Sequence, residues 1–239
     1  MTILKVDGEF FPKFAQDKSY SSEAKEAIQK TVQQLLEQPT TASKPGMLLG
    51  KIQSGKTKTF MGVIALAFDN TFDVTIVLTK GTKALARQTL ERISEEFSDF
   101  IKDDLLQVFD ILTIPPGLTR YELNQKLIFV VKKQVDNLDR LSKVIFETYP
   151  ALADKRMLLI DDEADYASIG FRKSKEEGIV INKIARQIDE LRKGLTNPAF
   201  LQVTATPYSL YLQPEDLKIE EKQQAFKPIR PAFTVLVPV

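Results

Sequence analysis

GKIQSGKT, residues 50–57, fits the pattern GxxxxGK[ST] at every position and stands between an apolar run and a helical pattern. Strand, glycine-bounded loop and helix in that succession are the core of a phosphate-binding α/β domain. Gly50 and Gly55 let successive backbone N–H groups turn inward around phosphates, and Lys51, Ile52, Gln53 and Ser54 form the cradle between them. Lys56 is placed to reach the β and γ phosphates, and the Thr57 hydroxyl to ligate Mg²⁺. A helix expected over residues 55–68 adds the favourable field of its N-terminus. The pattern arises by chance in only ~1% of chains of this length, so a plain glycine turn before a helix is the weaker reading.

Outward from the loop, apolar runs alternate with helical stretches. Strands are expected at 47–52, 74–79, 107–114, 126–133, 156–160 and 199–204, and helices at 55–68, 82–97, 135–148 and 181–191. Continuous Val/Ile/Leu runs separated by helices indicate a parallel sheet covered on both faces. Upstream, residues 21–38 place Ala24, Ala27, Ile28, Val32, Leu35 and Leu36 at helical spacing, with Ser21 or Ser22 as N-cap. A Pro/Thr/Ser/Gly linker, residues 39–46, ends that helix. The Lys/Glu-rich residues 171–178 read as a solvated loop, and 233–239 as an apolar strand-like run.

Composition narrows the chemistry. The 239 residues include no cysteine and no histidine, which excludes disulfides, thiolate or imidazole metal sites and Ser-His or Cys-His catalysis. Acid–base work falls to carboxylates, lysine or tyrosine. A net charge of +1 provides no global attraction to nucleic acid, so any such surface is local. No apolar run reaches the length of a membrane span and no signal-peptide core is present, so a cytoplasmic protein without a membrane partner is expected.

A second constellation, RMLLIDDEAD at residues 156–165, puts acids at the carboxyl end of an apolar strand, where open parallel sheets place ligands. An aspartate there can hold Mg²⁺, and a following glutamate can orient and deprotonate the attacking water. The register that aligns the letters DEAD makes Asp162 the metal aspartate and Glu163 the catalytic carboxylate beside Lys56. Asp161, one position earlier, leaves the metal role open to sharing or to a shift by one residue. A third segment, QVTATPY at 202–208, follows the last strong strand. Its Thr204 and Thr206 can hydrogen-bond the acidic motif near Asp165 and couple it to the γ-phosphate. Alone, TATP is also an ordinary proline-terminated strand end.

Together these segments resemble the first motor domain of superfamily-two helicases and translocases. Lys56 and Thr57 match the first helicase motif; Asp162, Glu163, Ala164 and Asp165 match the DEAD motif; Thr204, Ala205 and Thr206 match the TAT form of the third. Leu85, Ala86 and Gln88 in TKGTKALARQ match a Pro-Thr-x-x-Leu-Ala-x-Gln segment whose proline is missing here. Gln53 stands where many relatives carry glycine or threonine. The likeness spans roughly residues 46–208. QSGKT, the doubled aspartate and TATPY look most like helicase-like ATPases of bacterial restriction and phage-defence systems, which are often joined to an endonuclease domain.

The resemblance implies an α/β P-loop NTPase fold, a RecA-like three-layer sandwich around a mostly parallel sheet. Residues 1–45 would be a helical extension and linker, 46–212 the ATP-binding domain, and 213–239 a segment leading toward a second domain. It implies a Mg²⁺-dependent ATP hydrolase, weak in isolation because a second RecA-like domain, beyond Val239 or in trans, supplies arginine fingers. Nucleic acid is the implied partner, DNA favoured over RNA, with Lys80, Lys83, Arg87, Lys132 and Lys133 as candidate phosphate contacts. A nuclease domain is a further implied partner. An adenine-reading glutamine is implied upstream of the loop, Gln29 best placed and Gln33 and Gln34 competing. The alternative is a nucleotide-gated assembly module of a nuclease or defence complex that unwinds nothing.

Overall fold

The computed structural model describes residues 3–41, 44–50, 55–162, 164, 175–205 and 231–238. Seven strands form one sheet among them: β1 (Gly46–Leu49), β2 (Val74–Thr79), β3 (Leu106–Asp110), β4 (Lys126–Lys132), β5 (Met157–Asp162), β6 (Ala199–Thr204) and β7 (Phe233–Leu236). Their order is β3-β4-β2-β5-β6-β1-β7, and every pairing is parallel. The helices are α1 (Phe11–Asp17), α2 (Ser22–Glu37), α3 (Lys56–Asp69), α4 (Lys83–Glu96), α5 (Ser98–Lys102), α6 (Arg120–Asn124), α7 (Val135–Lys143) and α8 (Lys175–Lys193). None of the described helices is long and apolar enough to cross a membrane.

Strand alternation sorts the sheet's side chains into two layers. Val77, Ile128, Val130, Leu158, Ile160, Leu201 and Val203 join α1, α2 and α3 in one core. Val74, Ile76, Leu78, Phe129, Val131, Leu159 and Phe200 join α7 and α8 in the other. This is the α/β/α sandwich of a RecA-like P-loop NTPase. The helices expected as an N-terminal extension and the strand expected to lead away at the carboxyl end both contribute here, through Phe14, Ile28, Val32 and Val235 in the first core.

α3 carries the phosphate loop's last residues, and every residue from Thr59 to Phe68 is buried. A helix apolar all round needs cover on its second side, which α2 supplies by setting Ile28 against Gly62: a Cβ at Gly62 would lie 2.5 Å from Ile28 Cδ1. α2 starts where its cap signal places it, with the Ser21 hydroxyl accepting from the Ala24 N–H.

Several boundaries differ from expectation, each for a local reason. β3 stops at Asp110, whose carboxylate accepts the Leu112 N–H at 2.9 Å and whose carbonyl accepts the Thr113 N–H at 3.0 Å, so the chain turns before Pro115. The helix expected over 135–148 is α-helical only to Lys143 and continues as a π-helical turn, Val144–Thr148, closed by Tyr149 N–H on the Val144 carbonyl at 2.8 Å. The turn delivers the Tyr149 hydroxyl between the Pro115 carbonyl and the Leu118 N–H, 2.7 and 3.0 Å away. α8 begins at Lys175, so the end of the charged 171–178 segment is helix rather than loop; Lys and Glu are good helix formers.

The segment before α1 is tied to the end of α3 by one carboxylate. Asp69 accepts the backbone N–H groups of Glu9, Phe10 and Phe11 at 2.8, 3.0 and 2.7 Å. A Cβ at Gly8 would lie 2.1 Å from the Asp69 carboxyl carbon, so glycine permits the approach. Asp69→Ala leaves these donors without their acceptor and is expected to lower stability by about 2 kcal/mol, read as a reduced urea midpoint with unchanged slope.

Candidate functional site

Three sequence motifs meet at the carboxyl ends of β5, β6 and β1, which are neighbours in the sheet. Leu49 pairs with Thr204, and the Gly50 N–H donates to the Thr204 carbonyl at 3.2 Å. Asp162 pairs with Val203, and the Ala164 N–H donates to the Val203 carbonyl at 3.1 Å. β6 is therefore the spacer that holds the phosphate loop and the acidic segment one strand apart on either side of it.

At the far end of the loop Gly55 is the N-cap of α3 with φ +77°, a left-handed conformation that favours glycine. As a glycine it supplies no side-chain cap to this helix. The Lys56 ammonium donates to the Gly50 carbonyl at 3.1 Å, which brings the two ends of the loop together. Thr57, one residue on, is half-buried. Lys51, Ile52, Gln53, Ser54, Glu163, Asp165 and Thr206 lie outside the described residues.

The two adjacent aspartates face different layers. Ile160 packs in the α3 core and Leu159 in the α7–α8 core, so alternation carries Asp162 to the α3 side and Asp161 to the other. Asp161, its side chain 1% exposed, pairs with Lys133, 2% exposed, at 2.6 Å. The same ammonium donates to the Asp162 carbonyl at 2.9 Å. Asp162 itself is half-buried. Lys133, a candidate phosphate contact by sequence, is thus turned inward by the strand alternation that places Val131 in the same core. Its pairing with Asp161 was visible in the sequence only as two charges at the ends of apolar runs.

Lys80, Lys83 and Arg87 are exposed around the start of α4, with Arg87 bonded to Glu91 at 2.8 Å. Lys132 is half-buried. On α2, which packs against α3, Gln33 donates to Glu37 and Gln34 accepts from Gln38, while Gln29 is half-buried beside Ile28. A large groove of about 910 Å³ opens elsewhere, at the amino end of the sheet, lined by Glu37, Thr40, Asp154, Arg156, Asp189 and Arg192. Its Arg192 is structural. Arg192 donates to the Thr40 carbonyl, lies 3.6 Å from Asp189, and is held below its ordinary pKa by burial; the Thr40 hydroxyl accepts the Phe200 N–H at 2.7 Å.

Residues 17–209 match the family described as the type III restriction enzyme, res subunit. The chain belongs to that family. This res-subunit member is a helicase-like motor domain of superfamily two, and solved structures bear out the fold. The DUF1998 helicase MrfA superposes with a TM-score of 0.54 at 18% identity, over 92% of this chain and 32% of MrfA. MrfA bound to DNA and AMPPNP gives 0.55 at 16% identity, over 100% of this chain and 30% of that one. At such identities the likeness is one of fold, and this chain spans about a third of the helicase's length. No curated protein sequence matches it.

Charge burial at Lys133–Asp161 generates a stability test. Lys133→Met strands a buried carboxylate and is expected to cost about 3–5 kcal/mol, whereas Lys133→Met with Asp161→Leu should recover most of that loss. Urea denaturation of the two single variants and the double variant measures the coupling directly.

Proposed function

We propose that this chain is the ATP-binding, Mg²⁺-dependent ATPase motor domain of a nucleic-acid translocase. The observation that carries the reading is the convergence of Gly50, Asp162 and Thr204 at three neighbouring strand ends, beside a helix N-terminus whose N-cap is glycine. The N–H groups of a helix's first turn have no intrahelical partner, and they favour an anion there. The donor set fits the implied ligands: amides and one lysine for phosphates, a hydroxyl and a carboxylate for a hard divalent cation.

In this reading the amides of Gly50, Lys51, Ile52, Gln53, Ser54 and Gly55 cradle the phosphates. Lys56 exchanges the Gly50 carbonyl for β- and γ-phosphate oxygens. Thr57 and Asp162 hold Mg²⁺, and the position of Asp162 on the α3 side supports it over Asp161 for that role. Bound Mg²⁺ would neutralise charge on the phosphate oxygens as the γ-phosphoryl group departs. Glu163 accepts a proton from the attacking water. Asp165, Thr204 and Thr206 relay the state of the γ-phosphate. A second RecA-like domain closes the site with arginine fingers, worth about 10³–10⁵ in rate where such fingers act. The exposed Lys80, Lys83 and Arg87 contact the backbone of DNA in preference to RNA, a partner also carried by the MrfA structures. A nuclease domain and a cytoplasmic setting complete the proposal.

Calorimetry tests the nucleotide site on the chain itself. Mg-ATP and Mg-ADP should bind, Lys56→Ala should remove most of the affinity, and Asp162→Asn should remove its Mg²⁺ dependence. Equal binding by wild type and Lys56→Ala would overturn the assignment of the loop. In a form carrying the second domain, Glu163→Gln should keep ATP binding and abolish turnover, and DNA should stimulate the unmutated ATPase. ATP binding without any stimulation by nucleic acid would point instead to a nucleotide-gated assembly module.

A further inference from the structure

Lys133 belongs to neither the phosphate loop nor the DEAD motif, yet it contacts the acidic segment directly. Its ammonium bonds the Asp161 carboxylate at 2.6 Å and the Asp162 carbonyl at 2.9 Å, and its backbone N–H donates to the Thr79 carbonyl at 2.7 Å. One residue therefore joins the carboxyl ends of β4, β2 and β5, reaching across the intervening β2. The segment it meets on β2 leads directly into the exposed Lys80 and Lys83.

A buried ion pair is an expensive way to fill this position. Two apolar side chains of similar volume would serve stability as well or better, since each charge loses its hydration on burial. What the apolar pair could not supply is a directed bond to the carbonyl of Asp162. That bond fixes the peptide plane from which the Asp162 side chain departs. Asp161 in turn locks the ammonium in place, and with both side chains at most 2% exposed, water cannot substitute for either.

We propose that Lys133 is a positioning residue for divalent-cation binding: anchored by Asp161, it sets the orientation of Asp162 toward a Mg²⁺-nucleotide. The inference rests on the nucleotide reading above. Lys133 touches neither phosphate nor metal in this role; it acts as an outer-shell partner of a carboxylate ligand, a class of contact whose loss typically costs about 10- to 100-fold in metal affinity.

The test is binding of a fluorescent ADP by the whole chain, titrated with excess Mg²⁺ and again with EDTA. Wild type should bind more tightly with Mg²⁺. Because Lys133→Met alone could fail to fold, the decisive protein is the double variant Lys133→Met with Asp161→Leu, whose fold is checked by its melting transition. It should bind metal-free nucleotide as wild type does, yet lose about 10- to 100-fold of the Mg²⁺ enhancement. A merely structural pair would lower both affinities together or neither. A folded double variant with the full Mg²⁺ enhancement overturns the positioning role while leaving the nucleotide site standing. Absence of any Mg²⁺-enhanced binding in wild type overturns both readings at once.

Discussion

A helix that is apolar on every side can exist only as an interior element, and α3 is such a helix. Its ten residues from Thr59 to Phe68 are all buried. The sheet covers one side; α1 and α2 are the other cover, and the approach of Ile28 to Gly62 shows how closely they are set. The requirement explains why the chain spends its first residues on a layer that carries none of the phosphate-binding motif. It also determines what Lys56 and Thr57 stand on. Both ride on the first turn of an element that has no freedom to shift apart from the whole domain, so the groups offered to a ligand are preorganised by packing rather than by the loop.

The parallel sheet then performs the assembly. Phosphate loop, acidic segment and threonine segment are far apart along the chain, but β5, β6 and β1 are consecutive in the sheet and all run the same way. Their carboxyl ends have to coincide. Within β5 the period of two separates neighbouring aspartates into opposite layers, and environment gives them different work: Asp161 is sealed against Lys133, whereas Asp162 keeps partial exposure on the α3 side. Identical side chains one residue apart thus differ through the face on which each emerges.

Much of this was legible in the sequence because it is written in local patterns. VTIVLT and AFLQVT are strands at the positions their apolar runs indicate, and the helix from Ser22 was announced by its cap. The motifs named segments whose strand ends are neighbours in the sheet. Long-range pairings were not legible. The bond from Lys133 to Asp161 depends on β2 lying between β4 and β5, a fact of strand order that no periodicity records. β3 was read too long because Ile111 and Ile114 continue its apolar run, while the Asp110 side chain, as acceptor, terminates it. α6 is too short for a periodic signal, although Thr119 and Glu122 spell the capping box that would have revealed it.

The all-parallel sheet has two mouths, and they carry different burdens. Candidate chemistry gathers at one, whereas the clasp of Arg192 and Thr40 on the start of β6 sits at the other. Groups separated by the full length of the strands share no partners, and changes at such distances combine additively. Drift in the residues of the far groove can therefore alter the heat tolerance of the domain while leaving its nucleotide preference untouched. The architecture gives selection two nearly independent dials in a single core.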